Sequence, residues 1–273
     1  MQKSLLFIIF LLITSSFSSN QKTWVAIGDS ITYLNDHTDE TGKRVTKGYM
    51  TGVTEKLTAI KYINQGHNGW TAGGIAKEIE NLSLTKADIY SVFLGTNDWW
   101  SGRPIGTIED YKNNTGNDTF FGSYRLIINK LRSLNPKARI ILVTPMQRLN
   151  FVYLFDKKNN AWGSYKDKNG QSLSQFADAV LSISQLEKFE IVDLYYNKVL
   201  SLKNLVHFER LKDPQSGEYK NYKYPELCTI PFNPETDEYP YPAESVNMTY
   251  DGLHPSDKGY KIISKMFIEI LRK

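Results

Sequence analysis

Short apolar runs alternate with longer stretches of helical periodicity along most of this chain, and each run is closed by a turn signal. Residues 24–27, 89–94 and 139–144 are largely apolar or β-branched over a strand's length, 61–64 and 190–194 are short mixed strand candidates, and several of these runs stop at Gly, Asp or Pro. Residues 49–57, 75–82, 121–134, 172–189 and 258–272 carry apolar positions at a spacing near 3.6, which predicts helices. Strands alternating with helices imply βαβ units and a parallel sheet covered on both faces. The expected fold is therefore a three-layer α/β/α sandwich around about five parallel strands. In such sheets the functional crevice lies beyond the carboxyl ends of the strands, so residues that carry chemistry should follow strands directly.

Two stretches break the alternation. Residues 197–246 are rich in Tyr, Pro, Asp and Glu and too long for an ordinary connection, so they read as an insertion within a single domain spanning residues 20–273. At the other end, Lys3 precedes an apolar run over residues 5–13, then small and polar residues follow to Ser19. That order reads as a signal peptide over residues 1–19, cleaved near Ser19 or Asn20, and implies a secreted or periplasmic protein without a stable membrane anchor. A membrane anchor is the alternative, but the run is short for a bilayer.

Composition adds bounds. The net charge of +4 on 273 residues includes no dense Lys/Arg run, so a nucleic-acid partner has no support. Cys228 is the only cysteine, which rules out an intramolecular disulfide and leaves a buried free thiol as the expectation. Oligomeric state is left open.

Four polar motifs follow predicted strands. Gly28-Asp29-Ser30 places a hydroxyl at a strand end, at the start of a helix whose backbone N–H groups favour developing negative charge. A turn with a capping serine explains this tripeptide equally well. Asp251-Gly252-Leu253-His254-Pro255 can fold back so that the carboxylate reaches the imidazole Nδ1–H and leaves Nε2 as a base, with Pro255 beginning the last helix. Gly95-Thr96-Asn97-Asp98 offers a side-chain amide, and the glycine-rich segment 64–71 permits close approach of a backbone N–H to a ligand. Each could be a simple turn; together they supply a nucleophile, a base, an orienting acid and oxyanion donors, as acyl transfer requires. No G-x-S-x-G elbow is present, which argues against an ordinary α/β-hydrolase.

The ordered blocks GDS, the glycine segment, GTND and DGLHP resemble those of the SGNH (GDSL-type) hydrolases, from Trp24 to the C-terminus except for the insertion. The resemblance implies a flavodoxin-like fold and a serine esterase in which Ser30 attacks, His254 acts as base and Asp251 orients it. Its oxyanion hole would be the N–H groups of Ser30 and Gly69 with the Asn97 side chain. Gly69 is preferred to Gly66 because Gly69-Trp70-Thr71 aligns with the family's Gly-Asp-Thr, although Trp70 departs from the usual acid. Asp29 and Asp98 are expected to brace loops. His67, Trp70, Trp99 and Trp100 are candidate substrate contacts, with both latter tryptophans at the crevice rim. His37 and His207 read as structural, as does Asp193. No metal or organic cofactor is required. The expected substrate is a small-molecule or glycan ester, with deacetylation of a carbohydrate the leading reading. A lipase or lysophospholipase is the runner-up, and a non-catalytic carbohydrate-binding protein on the same scaffold is the alternative from another class.

Overall fold

The computed structural model describes residues 21–273, so the proposed signal peptide lies outside the described residues. Strand β1 (Lys22–Gly28) leads through the short helix α1 (Ser30–Tyr33) and α2 (Tyr49–Thr54) to β2 (Ile60–Gly66). Then come α3 (Ala72–Glu78), β3 (Ile89–Phe93), α4 (Thr96–Trp100), α5 (Ile108–Asn113), α6 (Phe120–Leu134) and β4 (Arg139–Val143). A hairpin of β5 (Phe151–Tyr153) and β6 (Asp156–Ala161) precedes α7 (Leu173–Glu187) and β7 (Glu190–Val192). The chain ends through α8 (Leu202–Leu205), the hairpin β8 (Glu209–Lys212) and β9 (Tyr219–Tyr222), and α9 (Asp257–Leu271).

Five strands form one parallel sheet in the order β2-β1-β3-β4-β7. All five are the runs marked by the sequence pattern, to within a few residues at their ends. Successive side chains of a strand point to opposite faces, so runs that are apolar throughout must bury both. Val25 and Ile27 of β1, with Tyr90 and Val92 of β3, join α3, α6 and α7 in one core. Trp24 and Ala26, with Phe93 and Ile141, join α2 and α9 in the other. The Ser91 hydroxyl on the central strand is satisfied there by accepting from Trp24 Nε1 at 2.9 Å. Among the described residues no helix is long and apolar enough to cross a membrane.

The helices begin where caps allow. Ser172 caps α7 reciprocally with Gln175, and Thr119 accepts from Gly122 at the start of α6. The third helix starts three residues before its apolar periodicity, at Ala72, because Thr71 caps Gly74 and the distant Asp98 carboxylate receives the Ala72 N–H at 2.8 Å. The last helix starts at Asp257 behind its cap Ser256, so Pro255 precedes the helix and does not begin it.

The insertion builds a third, smaller core. Leu205, Val206, Leu211, Leu227 and Tyr241 pack there against Leu149 and Val152. The last two belong to the β4–α7 connection, whose hairpin the sequence pattern does not mark because β6, Asp156–Ala161, is largely polar. Both excursions therefore meet at the carboxyl end of the sheet.

Candidate active site

Ser30 is the first residue of α1, immediately past the end of β1. Asp29 is the cap: its backbone is extended and its Oδ1 accepts the Ile31 N–H at 3.0 Å. The chain must turn sharply here, and β2 presses against the turn. A Cβ on Gly66 would sit 2.1 Å from Tyr33 N, so only glycine fits between strand and helix. Asn64 fastens the contact by donating to Thr32 O at 3.1 Å and accepting the Gly66 N–H at 2.8 Å.

The His254 side chain reaches Ser30 across 224 residues of sequence, with Oγ 2.8 Å from Nε2. On the other side of the ring, Nδ1 is 2.7 Å from Asp251 Oδ2. The second carboxylate oxygen of Asp251 accepts the Leu253 and His254 backbone N–H groups at 3.0 and 2.7 Å. Closing so tight a loop needs Gly252, at φ +85°, whose missing Cβ would lie 2.0 Å from Asn150 O. With Asp251 accepting, Nδ1 carries the proton and Nε2 accepts from the Ser30 hydroxyl. Tyr250 stacks on the imidazole and Phe151 meets it edge-on at 5.4 Å between centroids, so the ring cannot swing away.

The two glycines of segment 64–71 are separated by their hydrogen bonds. Gly66 spends its N–H on Asn64. Gly69 stands exposed at φ +76°, with nothing within 4 Å of a would-be Cβ, and its N–H meets no acceptor among the described residues. Asn97 donates one Nδ2–H to Trp70 O at 3.0 Å, which fixes the amide, and its other N–H meets no acceptor among the described residues. Trp70 stacks on His67 at 4.6 Å, and burial holds the His67 imidazole below its usual pKa.

Asp98 is fully buried and receives the Ala72 N–H, with Arg103 Nε 3.4 Å from its Oδ1. Asp29 and Asp98 thus both bind backbone N–H groups at the crevice floor. Burial outweighs those bonds and pushes each carboxyl up to about 6.

Trp99 is a correction to the sequence reading: it is wholly buried rather than at the rim, and its Nε1–H donates to Gln171 O at 2.9 Å. Neighbours on a helix face directions about 100° apart, so α4 sends Trp99 into the core and Trp100 outward. Trp100 is itself enclosed by Trp162, by Lys168 Nζ 4.3 Å from its centroid, and by the buried Arg148 guanidinium at 5.3 Å. Beside Phe151 a cavity of about 280 Å³ opens between the β5–β6 hairpin and the insertion, lined by Trp162, Tyr165, Cys228 and Phe232 among others. Cys228 is half-buried, and desolvation pushes its thiol up to about 11. His37 stacks on Tyr33, His207 is exposed, and Asp193 accepts from Thr144 Oγ1 at 3.0 Å. Among the described residues no group of three or more His, Cys, Asp or Glu side chains is arranged to hold a metal ion.

The GDSL-like Lipase/Acylhydrolase family model matches residues 26–262, from β1 into α9. The chain belongs to that family.

Solved structures agree with this membership. A crystal structure of a possible lipase from Chitinophaga pinensis is 62% identical, covers 92% of this chain and 98% of its own, and superposes with a TM-score of 0.91. Two others share the fold at low identity. A protein of Lactobacillus plantarum is 18% identical, with 93% and 97% coverage and a TM-score of 0.60. A mutant of an acetyl-xylooligosaccharide esterase from Geobacillus Stearmophilus is 19% identical, with 91% and 93% coverage and a TM-score of 0.51. No match is found among proteins of curated function. As a GDSL-like lipase/acylhydrolase the chain is a hydrolase of the lipase and esterase kind. Around the motifs of this family member the structure adds groups that sequence reading missed: Phe151, Tyr250, Arg148 and Glu209. Tyr250 directly precedes the Asp251 block, whereas Phe151, Arg148 and Glu209 lie in no recognisable motif and are brought near it only by tertiary contact.

Proposed function

We propose that this chain is a serine carboxylic-ester hydrolase that removes short acyl groups, acetyl above all, from a carbohydrate ester. The observation that carries the reading is the unbroken relay from Ser30 Oγ to His254 Nε2 at 2.8 Å and from Nδ1 to Asp251 at 2.7 Å. In the first half-reaction Ser30 Oγ bonds to the ester carbonyl carbon while its proton passes to Nε2. The resulting oxyanion is met by the N–H groups of Ser30 and Gly69 and by the free amide N–H of Asn97. Collapse breaks the bond to the alkoxy oxygen, which leaves with the proton from Nε2. Water then loses a proton to Nε2 and attacks the acyl-enzyme; the acid departs and the proton returns to Oγ. Asp251 keeps the productive tautomer and stabilises the imidazolium.

Support for a carbohydrate is the mixed lining of the cavity beside Phe151, where Phe151, Trp162 and Tyr165 supply aromatic side chains and Asn160 and Lys166 polar ones. A lipase is the second reading, favoured by the description of the 62% identical structure as a possible lipase. The apolar leader supports a secreted or periplasmic location.

The test is p-nitrophenol release from esters of increasing chain length by the intact protein and by Ser30→Ala. Turnover of acetate that declines with chain length and drops on the order of 10⁴-fold or more in the variant is expected. A preference for long chains moves the assignment to lipase. Unchanged turnover in Ser30→Ala sinks the mechanism, and binding of acetylated glycans without turnover would leave a carbohydrate-binding protein.

A further inference from the structure

Beneath the His254 turn, Glu209 of β8 is buried to 1% exposure with no cation among the groups that act on it. Its Oε1 is 2.9 Å from Tyr241 Oη, and its Oε2 is 3.4 Å from Asn150 Nδ2. Tyr241 Oη also bonds the backbone carbonyl of Asn150. A phenol has one proton, a backbone carbonyl can only accept, and an ionised carboxylate can only accept. One proton is missing unless Glu209 supplies it. An unpaired carboxylate in so dry a site would also be strongly disfavoured.

The cluster presses directly on the proposed catalytic turn. Asn150 O and Tyr241 Oη are the atoms that a Cβ on Gly252 would strike first, at 2.0 and 2.5 Å. The same segment donates from Leu149 N to Gly252 O at 2.9 Å and from Val152 N to Asp251 O at 3.4 Å. Asn150 is held in turn by Tyr165, whose hydroxyl donates to Oδ1 at 2.6 Å.

We propose that Glu209 is a neutral carboxylic acid and a positioning residue for the Asp251–His254 turn, donating its proton to Tyr241 Oη so that Tyr241 can donate to Asn150 O. This rests on the reading of Ser30, Asp251 and His254 as the catalytic set. The insertion thereby acquires a role, since through β8 and Tyr241 it clamps the loop that aims the base.

Removing that proton leaves two acceptors facing one phenolic hydrogen. Burial pushes the Glu209 carboxyl up to about 8, so the clamp weakens as pH rises through that value. The native state holds the proton more tightly than the unfolded chain. The stability it contributes is therefore complete below the ordinary carboxyl range and lost as pH rises through about 8. Other groups facing Glu209 titrate elsewhere: Tyr165 is pushed up to about 12, Cys228 to about 11, and Tyr241 far above its usual value. Further out, Lys166 acts on Cys228, Arg148 and Asp251 interact with Tyr241, and Arg44 donates to Tyr241 O at 2.7 Å.

The experiment compares wild type, Glu209→Gln and Glu209→Ala by kcat and KM on p-nitrophenyl acetate between about pH 6 and 10, by thermal melting, and by infrared spectroscopy at neutral pH. Glutamine keeps a donor for Tyr241 Oη. Wild-type kcat should fall about tenfold per pH unit above about 8 with KM little changed. Glu209→Gln should keep kcat within about threefold at neutral pH and lose that limb. Glu209→Ala should lose about tenfold or more in kcat below about pH 8, through a misplaced imidazole, and the gap to wild type should close as pH rises through that value. The infrared carbonyl band of a neutral buried acid should be present in wild type and missing in Glu209→Gln. An unchanged alkaline limb in Glu209→Gln, or no such band, overturns the proposal. The band reports the proton whether or not the protein turns over any ester, so failure of the esterase reading would be seen separately.

Discussion

Gly66→Ala tests how the nucleophile is placed. The new Cβ would lie 2.1 Å from Tyr33 N and 2.6 Å from Thr32 C and Tyr33 Cα, where ordinary contact begins at 3.4 Å. All three obstacles are backbone, so no side chain can rotate aside. Either the end of β2 or helix α1 must move by about 1 Å, and β2 is held in register by the pairing of Gly66 with Gly28. The helix carries Ser30, whose Oγ lies 2.8 Å from His254 Nε2. Forcing extra volume into a packed site costs about 1–3 kcal/mol, which for a chain of this size lowers Tm by roughly 2–10 °C. A displacement of about 1 Å in a reacting group costs about 10²-fold in rate. Gly116→Ala is the control: its Cβ meets nothing within 4 Å, and only the positive φ of 101° is strained, at about 1–2 kcal/mol. Thermal melts and kcat/KM on p-nitrophenyl acetate measure both variants. A Gly66→Ala protein with wild-type melting and wild-type turnover would refute the packing argument outright.

Two further outcomes follow from burial. Trp99→Ala removes a wholly buried indole that packs on Arg148 and leaves Gln171 O with only the Lys168 N–H as donor, so urea unfolding should show a loss of about 3–5 kcal/mol. Asp29→Asn keeps an oxygen for the Ile31 N–H while removing a carboxyl that burial raises to about 6. Native Asp29 binds its proton more tightly than the unfolded chain, so wild type should lose stability relative to this variant as pH rises from about 4 to about 6; a difference independent of pH would contradict it.

The sequence by itself determined the sheet. Five short runs between periodic segments specify parallel strands, and the central ones, over 24–28, 89–93 and 140–143, are almost wholly apolar because they are buried on both faces. The Asp251–His254 contact was also legible, since both partners lie within one tight turn, and so was the placing of Ser30 at a helix start. Local chemistry governs those features. Tertiary structure alone decided the rest. Helix α3 begins early because Asp98, 26 residues away, receives the Ala72 N–H. The two tryptophans after Asn97 read alike in sequence, yet the direction of α4 buries Trp99 and turns Trp100 outward. The polar hairpin β5–β6 and the insertion carry too little apolar pattern to announce themselves, because each buries its few apolar side chains against the other. Glu209 lies in that insertion with no motif around it, and its protonation is set by what surrounds it: an apolar core, one phenol and one carbonyl.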